Sequence, residues 1–371
     1  MTIDTTPAHS ARSVHSAPMD LASLPKRSED WLATYIYYSA NPRPLLVDCI
    51  QPLIAELREH KLVSGYFFIN YWLAGPHVRL RLKPASPDHA PEVRARTEEA
   101  VSSFLRARPA LFEMQPEYMQ TFYSRLFDLE FPDEESRREY VDDDGRMVFR
   151  PNNSFRWEAY EPEYGRYGGP IGTRTAEWHF EYSSDLVLDA MAGLNSHVRT
   201  VRLGLAAQIM AVATATFLGS RAAAVEFLEG YHGYWYRSFA DAGRTAAESY
   251  DQHYESIAPA LRERVDTLHR AVEQSELERL PRFVRQWHGH LAELHRKVGE
   301  HADRGELTFA GYAGAPDWSP DTSTDAARML LLPYMHMTNN RFTVNIRDEA
   351  YLSYVVARAL RETAPEEVPA A

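Results

Sequence analysis

The sequence predicts an α+β fold in which a ferredoxin-like sheet layer with antiparallel strands packs against a mostly helical C-terminal half. Short aromatic and β-branched segments alternate with helical spacing in the first part of the chain, whereas from Thr173 onward the apolar residues recur at helical spacing. No stretch rich in Pro and Gly separates the two halves. We therefore expect one compound domain over residues 30–362, between a disordered N-terminal tail, 1–29, and a disordered C-terminal tail, 363–371.

Five predicted elements open the domain. Residues 31–38 are aromatic and β-branched and predict a strand, and 45–62 place apolar residues at helical spacing. Residues 66–72 and 77–83 predict two strands joined by a Gly-Pro turn, and 91–106 predict a helix. Strand, helix, strand, strand, helix is the order of a ferredoxin-like layer, so the sheet should contain antiparallel neighbours.

The middle of the chain is less regular, and the remainder is helical. We predict an exposed acidic loop or hairpin over 131–148, a strand over 154–161 and a loop over 167–170, because Gly-Gly-Pro interrupts regular structure. The candidate helices that follow are residues 176–194, 197–218, 221–239, 277–298, 324–337 and 348–361.

The composition limits the classes of function. The 371 residues carry a formal net charge of −12, and an acidic surface repels nucleic-acid phosphates, so direct nucleic-acid binding is not expected. We find no continuous apolar run of about 18 residues and no signal peptide, so we expect a cytoplasmic protein without a membrane span. Cys49, the single cysteine, excludes an internal disulfide and is predicted to pack in a helix. Neither metal-ligand spacing nor a phosphate-binding loop occurs, so no cofactor is expected.

A basic strand face is the first candidate for chemistry. His77, Arg79 and Arg81 alternate with apolar residues, so a strand directs all three to one face, with the two arginines about 7 Å apart. Arginine offers a planar fork of donors that binds a carboxylate in two places. The same pattern fits a solvated sheet face with surface ion pairs, and the spacing alone favours that interpretation.

Two further segments carry ionisable side chains beside turns. Glu163 and Arg166 are three residues apart and precede a Gly-Gly pair, where backbone can approach a ligand closely. A surface ion pair is the alternative interpretation. His336 ends an apolar helical stretch ahead of Asn339 and Asn340, and it is either a proton-transfer residue or a core histidine.

The residues of these clusters and their order along the chain resemble the motifs of the thiopeptide-type bacteriocin biosynthesis domain, the C-terminal elimination domain of lantibiotic dehydratases. Residues 67–72 (FFINYW) and 75–81 (GPHVRLR) are similar to the family phrase WFFIRY…GPHLRLR. Residues 160–169 (YEPEYGRYGG) are similar to YEPE…RYGG, and 336–341 (HMTNNR) to the final H…NR. Asn70 departs from the family phrase, which often has Arg at that place.

The resemblance implies a function. In that family, a partner enzyme uses glutamyl-tRNA to glutamylate Ser or Thr of a ribosomal precursor peptide, which consists of leader and core. The elimination domain then expels glutamate and leaves dehydroalanine or dehydrobutyrine. We recognise no glutamylation module in this sequence, so a separate glutamylation enzyme is the expected partner, and the resemblance leaves a homodimer open.

The resemblance also assigns roles to residues. It implies catalytic roles for Arg79, Arg81, Glu163, Arg166 and His336. It implies substrate-binding roles for His77, Tyr167, Asn340 and Arg341. It does not decide which of Glu163 and His336 is the base and which is the acid.

Two other functions stay open. The family also contains thiopeptide pyridine synthases, which join two dehydroalanines in a formal 4+2 cycloaddition and release the leader peptide. A non-catalytic scaffold that presents precursor peptide to other enzymes is the third hypothesis. The complete set of Arg, Glu, Arg and His favours elimination, because a pyridine synthase binds no leaving glutamate.

Overall fold

A computed structural model describes residues 18–111, 127, 131, 137–138, 140–238, 245–311 and 315–363. The strands are β1 (Ser28–Tyr37), β2 (Val63–Tyr71), β3 (His77–Pro84) and β4 (Ser154–Tyr160). The helices are α1 (Arg43–Leu45), α2 (Gln51–Glu59), α3 (Ala90–Ala107), α4 (Tyr164–Tyr167), α5 (Gly169–Gly193), α6 (Arg199–Leu218), α7 (Arg221–Ser238), α8 (Thr245–Glu273), α9 (Arg282–Asp303), α10 (Ser323–Arg341) and α11 (Ile346–Glu362). A π-helical turn, Leu46–Ile50, joins α1 to α2.

The four strands form one sheet in the order β2-β3-β1-β4, and every neighbouring pair is antiparallel. With a helical segment between β1 and β2 and α3 between β3 and β4, this is the βαββαβ arrangement of a ferredoxin-like layer. The predicted α+β class and the predicted antiparallel sheet are therefore confirmed.

The two faces of β3 differ in chemistry, as the alternation predicts. Val78, Leu80 and Leu82 are almost fully buried in the main core, which also contains the apolar residues of α2 and α3. The other face carries His77, Arg79 and Arg81, and Arg81 lies opposite Phe67 of β2. The Phe67 ring contacts Phe180 of α5, with ring centroids 5.4 Å apart, so the long helix α5 covers part of the basic face.

The C-terminal half is a helical layer built around α6. This helix is long and apolar enough to cross a membrane by length and composition alone, although Arg202 and Gln208 interrupt its apolar run. Within the fold, however, 61% of its apolar window is buried, and it packs against α8, α9, α10 and α11 as a core helix does.

The Gly-Gly-Pro segment is helical, which corrects the predicted loop over 167–170. Gly168 adopts a left-handed conformation with φ of 83° and caps α4, and α5 begins at the very next residue. Proline is tolerated in the first turn of a helix, where its missing N–H would have no partner. Gly168 and Gly169, which both have positive φ, therefore provide the sharp bend, and the proline lies in the first turn of the helix instead of preventing it.

The structure differs from the prediction at two more places. The helix α8 was not predicted at all, although it spans 29 residues and contains Pro259. The segment before residue 30, predicted to be a disordered tail, contains a 3-10 turn at Leu21–Ser23 and the first residues of β1. The backbone N–H of Leu21 donates to Asp317, 3.3 Å away, so this segment is attached to the fold. The remaining residues of both predicted tails, 1–17 and 364–371, lie outside the described residues, as do 132–136 and 139 of the acidic segment 131–148 that was predicted to be a loop or hairpin.

Cys49 packs in the core, as predicted, within the π-helical turn. Burial raises the pKa of its thiol to about 12, so the nucleophilic thiolate is scarce at neutral pH.

Substitution of Gly172, in the first turn of α5, tests how tightly the chain packs at the bend into that helix. A Cβ at this position would lie 1.8 Å from the carbonyl oxygen of Tyr167, so backbone must move to admit it. We expect Gly172→Ala to lower the free energy of unfolding by about 1–3 kcal/mol in urea denaturation, as overpacked substitutions do. Gly204→Ala is the control, because Gly204 lies exposed in α6 with open space around it and should gain up to about 1 kcal/mol. Equal effects at the two positions would contradict the steric argument.

Candidate active site

Arg81 is a buried cation without a matching anion. Its side chain is nearly inaccessible, at 4% exposure, and Nη2 donates to the hydroxyl of Tyr35 at 3.3 Å. Within the described part of the chain, Nε and Nη1 have no hydrogen-bond partner. Burial lowers the pKa of the guanidinium, and the neighbouring Arg79 adds to the effect. Because an unpaired buried charge is costly, this site is suited to an anion supplied from outside the chain.

Arg79 lies next to Arg81 on the same face and is held between aromatic rings. Its guanidinium carbon is 3.5 Å from the ring centroid of Tyr71 and 4.7 Å from that of Tyr35. These cation–π contacts orient the guanidinium without neutralising it. No ion pair to either Arg79 or Arg81 is found among the described residues. The two arginines therefore form a positively charged strip bounded by tyrosines.

His77 orients Arg79. Its Nδ1–H donates to the carbonyl oxygen of Gly75 at 2.8 Å, and its Nε2 accepts from Nε of Arg79 at 3.2 Å. Burial, reinforced by the charge of Arg79, lowers the pKa of His77 to about 3, so the ring is neutral in the folded protein. Both ring nitrogens are used within the chain. The resemblance implies substrate binding by His77, and in the described structure its two ring nitrogens bond to Gly75 and Arg79.

Glu163 and Arg166 form an ion pair at the edge of the site, with Nη1 and Oε2 3.5 Å apart. Both side chains are about half exposed, at 53% and 54%. The turn that carries them lies close to the segment around Ala310, whose backbone N–H donates to the carbonyl oxygen of Gly165 at 3.0 Å. The pair is thus accessible to a ligand while its backbone is fixed.

Tyr160 and Tyr167 connect this turn to the arginines. The Tyr160 ring lies 5.4 Å from the guanidinium carbon of Arg81. Tyr167 is buried and packs against Phe180, with ring centroids 5.3 Å apart. Burial chiefly raises the pKa of both tyrosines, and the charge of Glu163 raises it further. The strand face and the YEPE turn therefore belong to one neighbourhood, as the sequence predicted.

His336 lies on α10 and pairs with a residue that the sequence did not point to. Nδ1 of His336 is 3.0 Å from Oε1 of Glu349, and its ring packs 5.0 Å from that of Trp235. The His336 side chain is 22% exposed. Glu349 lies thirteen residues later, in the first turn of α11, where acidic residues are common in any helix. No periodicity or motif could have indicated this pair.

Asn340 and Arg341, the other residues of the final motif, form hydrogen bonds within the fold. Asn340 and Asn70 bind each other through three hydrogen bonds of 2.7–2.9 Å, which fasten α10 to β2. Arg341 is fully buried over the Phe180 ring, and its Nη1 donates to the carbonyl oxygen of Met337 at 2.8 Å. Burial lowers the pKa of Arg341 to about 9. The Asn at position 70, where the family often has Arg, is explained by its pairing with Asn340.

The same fastening relates His336 to the arginines. Asn340 lies four residues after His336, about 6 Å along the helix axis, and it binds Asn70, whose neighbour Tyr71 contacts Arg79. No direct contact between His336 and the two strand arginines is found in the described structure. The strip on the sheet and the histidine on the adjoining helix are therefore connected only indirectly, through Asn340 and Asn70.

Comparisons with known proteins agree with this fold. The family described as "Lantibiotic biosynthesis dehydratase C-term" matches residues 31–360. Among solved structures, "Pyridine synthase, TbtD, from thiomuracin biosynthesis" is 22% identical, covers 90% of this chain and 99% of that chain, and has a TM-score of 0.71. "TsrL" is 19% identical, covers 90% and 94%, and has a TM-score of 0.61. At these identities the likeness shows the fold alone. No curated protein matches the sequence.

The buried, neutral His77 predicts a pH dependence of stability. Its folded pKa of about 3 lies below the unfolded value of 6.5, so only the unfolded chain gains this proton as the pH falls between those values. Stability is therefore lost across that window, and His77→Gln should flatten the decline by up to about 1.4 kcal/mol per pH unit. Urea denaturation at several pH values between 7 and 4 measures the slopes. Parallel curves for the two proteins would exclude a neutral His77.

Proposed function

The chain belongs to the lantibiotic biosynthesis dehydratase C-terminal family, which places it in the biosynthesis of ribosomal peptide natural products, and we propose that it expels glutamate from glutamylated Ser or Thr of a precursor peptide. The products are dehydroalanine and dehydrobutyrine. The observation that carries this proposal is the buried guanidinium of Arg81, which has two nitrogens without a partner among the described residues.

The chemistry of the substrate fits an unpaired cationic strip. A glutamyl ester carries one free carboxylate before the reaction, and release of glutamate generates a second. Arg79 and Arg81 can bind one carboxylate and attract the developing negative charge, because electrostatic attraction is strong where water is excluded. We infer that Arg166, half exposed and paired with Glu163, meets the substrate at the edge of the strip.

The elimination needs a base for the Cα proton. In the proposed step, the Cα–H bond breaks toward the base, its electron pair forms the Cα=Cβ bond, and the Cβ–O bond breaks to release glutamate as a carboxylate. His336 fits the base better than Glu163, because the Glu163 carboxylate is paired with Arg166 whereas Nε2 of His336 has no partner among the described residues.

Pyridine synthesis is the second candidate function. It is favoured by the likeness to TbtD, which extends over 99% of that chain and includes the helical half. A pyridine synthase joins two uncharged dehydroalanines and has no leaving glutamate to bind. The unpaired cations therefore favour elimination over this alternative.

Arg81→Met tests the proposal with purified protein and a glutamylated precursor peptide. Wild-type protein should convert the ester to a dehydro residue with loss of glutamic acid, followed by mass spectrometry. The variant should stall at the ester, with kcat lower by roughly 10²–10³-fold. Its free energy of unfolding should stay equal or rise, because a buried unpaired charge is replaced by an apolar side chain.

Arg58→Met is the matched control. Arg58 forms ion pairs with Glu181 and Asp185 away from the strip, at 2.7 and 2.9 Å, so its loss should reduce stability and leave turnover unchanged. Full turnover by Arg81→Met would reject the assignment of the strip. If wild-type protein leaves the ester untouched but forms a ring from a dehydroalanine-rich peptide, pyridine synthesis is the function. If it binds peptide and converts neither, it is a scaffold.

A further inference from the structure

Three helices bring together a tyrosine, a glutamate and a histidine beside the candidate active site. Glu349 of α11 accepts from Nδ1 of His336 on α10, with distances of 3.0 and 3.2 Å to its two carboxylate oxygens. The hydroxyl of Tyr231 on α7 donates to Oε2 of the same carboxylate. Neither Glu349 nor Tyr231 belongs to the motifs that carried the family resemblance.

The carboxylate of Glu349 is fully enclosed. Its side chain has 0% exposure, and the only ion pair that it forms within the described chain is with His336. A buried carboxylate without Arg or Lys is costly unless hydrogen-bond donors surround it. Tyr231 and His336 are those donors. Burial, together with the charge of Glu349, raises the pKa of Tyr231 well above its usual value, so its hydroxyl stays protonated and donates.

The Glu349 carboxylate and the Trp235 ring fix the tautomer and the orientation of His336. An ionised carboxylate can only accept hydrogen bonds, so Nδ1 must carry the proton. In the neutral ring the lone pair then lies on Nε2, on the opposite side of the imidazole. Trp235 packs against the ring at 5.0 Å and limits its rotation. The 22% exposure of the His336 side chain leaves a path for a substrate to reach it.

We propose that Tyr231, Glu349 and His336 form a proton-transfer relay in which Glu349, held by Tyr231, is the positioning residue for a catalytic His336. The inference rests on the proposed elimination and deepens it. Nε2 accepts the Cα proton while the electron pair of that bond forms Cα=Cβ and glutamate departs. The resulting imidazolium keeps its proton on Nδ1, where Glu349 balances the charge, and later releases the Nε2 proton to water.

The alternative interpretation is that these three side chains only hold α7, α10 and α11 together. The two interpretations differ in how mutations combine. If Glu349 acts only through His336, its substitution lowers the rate in the wild-type background and has no further effect once His336 is gone. A structural connection would lower the amount of folded protein in both backgrounds.

The experiment measures kcat and KM for glutamate release by His336→Ala, Glu349→Gln, the double variant and Tyr231→Phe, each corrected for its folded fraction by circular dichroism. We expect Glu349→Gln to lower kcat by roughly 10²-fold with KM nearly constant. Tyr231→Phe should lower kcat by less, since the carboxylate remains. The double variant should be no slower than His336→Ala alone. Asp348→Asn is the matched control, because Asp348 is a buried acid on the same helix turn that pairs with Arg199.

The outcomes are separable from the proposed function. If wild-type protein releases no glutamate, the elimination itself is wrong. If wild-type protein is active and the kcat of Glu349→Gln stays within about twofold of it, the relay is wrong while the function stands. Multiplicative loss in the double variant would also overturn the relay, because Glu349 would then act independently of His336.

Discussion

The structure depends on keeping two neighbouring arginines positively charged in a place where water is scarce. Arg81 is 4% exposed, and its hydrogen bond to Tyr35 is the single one found for its guanidinium in the described chain. Three tyrosine faces, those of Tyr35, Tyr71 and Tyr160, surround the two guanidinium groups at 3.5–5.4 Å. Aromatic faces attract a cation without satisfying its donors, so the donors stay available. A carboxylate in place of any of these rings would neutralise the strip.

The fold supplies the rigidity that such a strip requires. The arginines lie on β3, an interior strand of the sheet, paired on one side with β1 and on the other with β2. The apolar face of the same strand is buried, so a shift of one residue in register would expose Val78, Leu80 and Leu82 and bury the basic side chains instead. The hydrophobic pattern that builds the core therefore also fixes where the cations point. The hydrogen bonds between Asn70 and Asn340 extend this order to α10 and the histidine that it carries.

Much of this could be predicted from sequence, because strands and helices impose short periods on the chain. The alternation over 77–83 predicted both the core face and the basic face of β3, and the Gly-Gly pair correctly indicated a sharp bend. The predicted loop over 167–170 was wrong because proline, which is excluded from the interior of a helix, is favoured in its first turn. The helix α8 was missed since Pro259 lies within it, although Tyr254, Ala258, Val265 and Leu268 are buried at helical spacing. Glu349 and Tyr231 could not be predicted at all, because only tertiary packing brings them to His336.

The two parts of the site contain buried groups of opposite charge, and that difference argues for a catalytic rather than a purely binding role. The strip on the sheet contains positive charge with too few anions, whereas the centre of the helical layer contains the buried carboxylate of Glu349 with no arginine or lysine bonded to it in the described structure. Binding a peptide requires neither arrangement. A β-elimination uses both, because negative charge leaves with glutamate while a proton moves onto a base. In the elimination that we propose, the sheet stabilises the first and the histidine, backed by Glu349, stabilises the second.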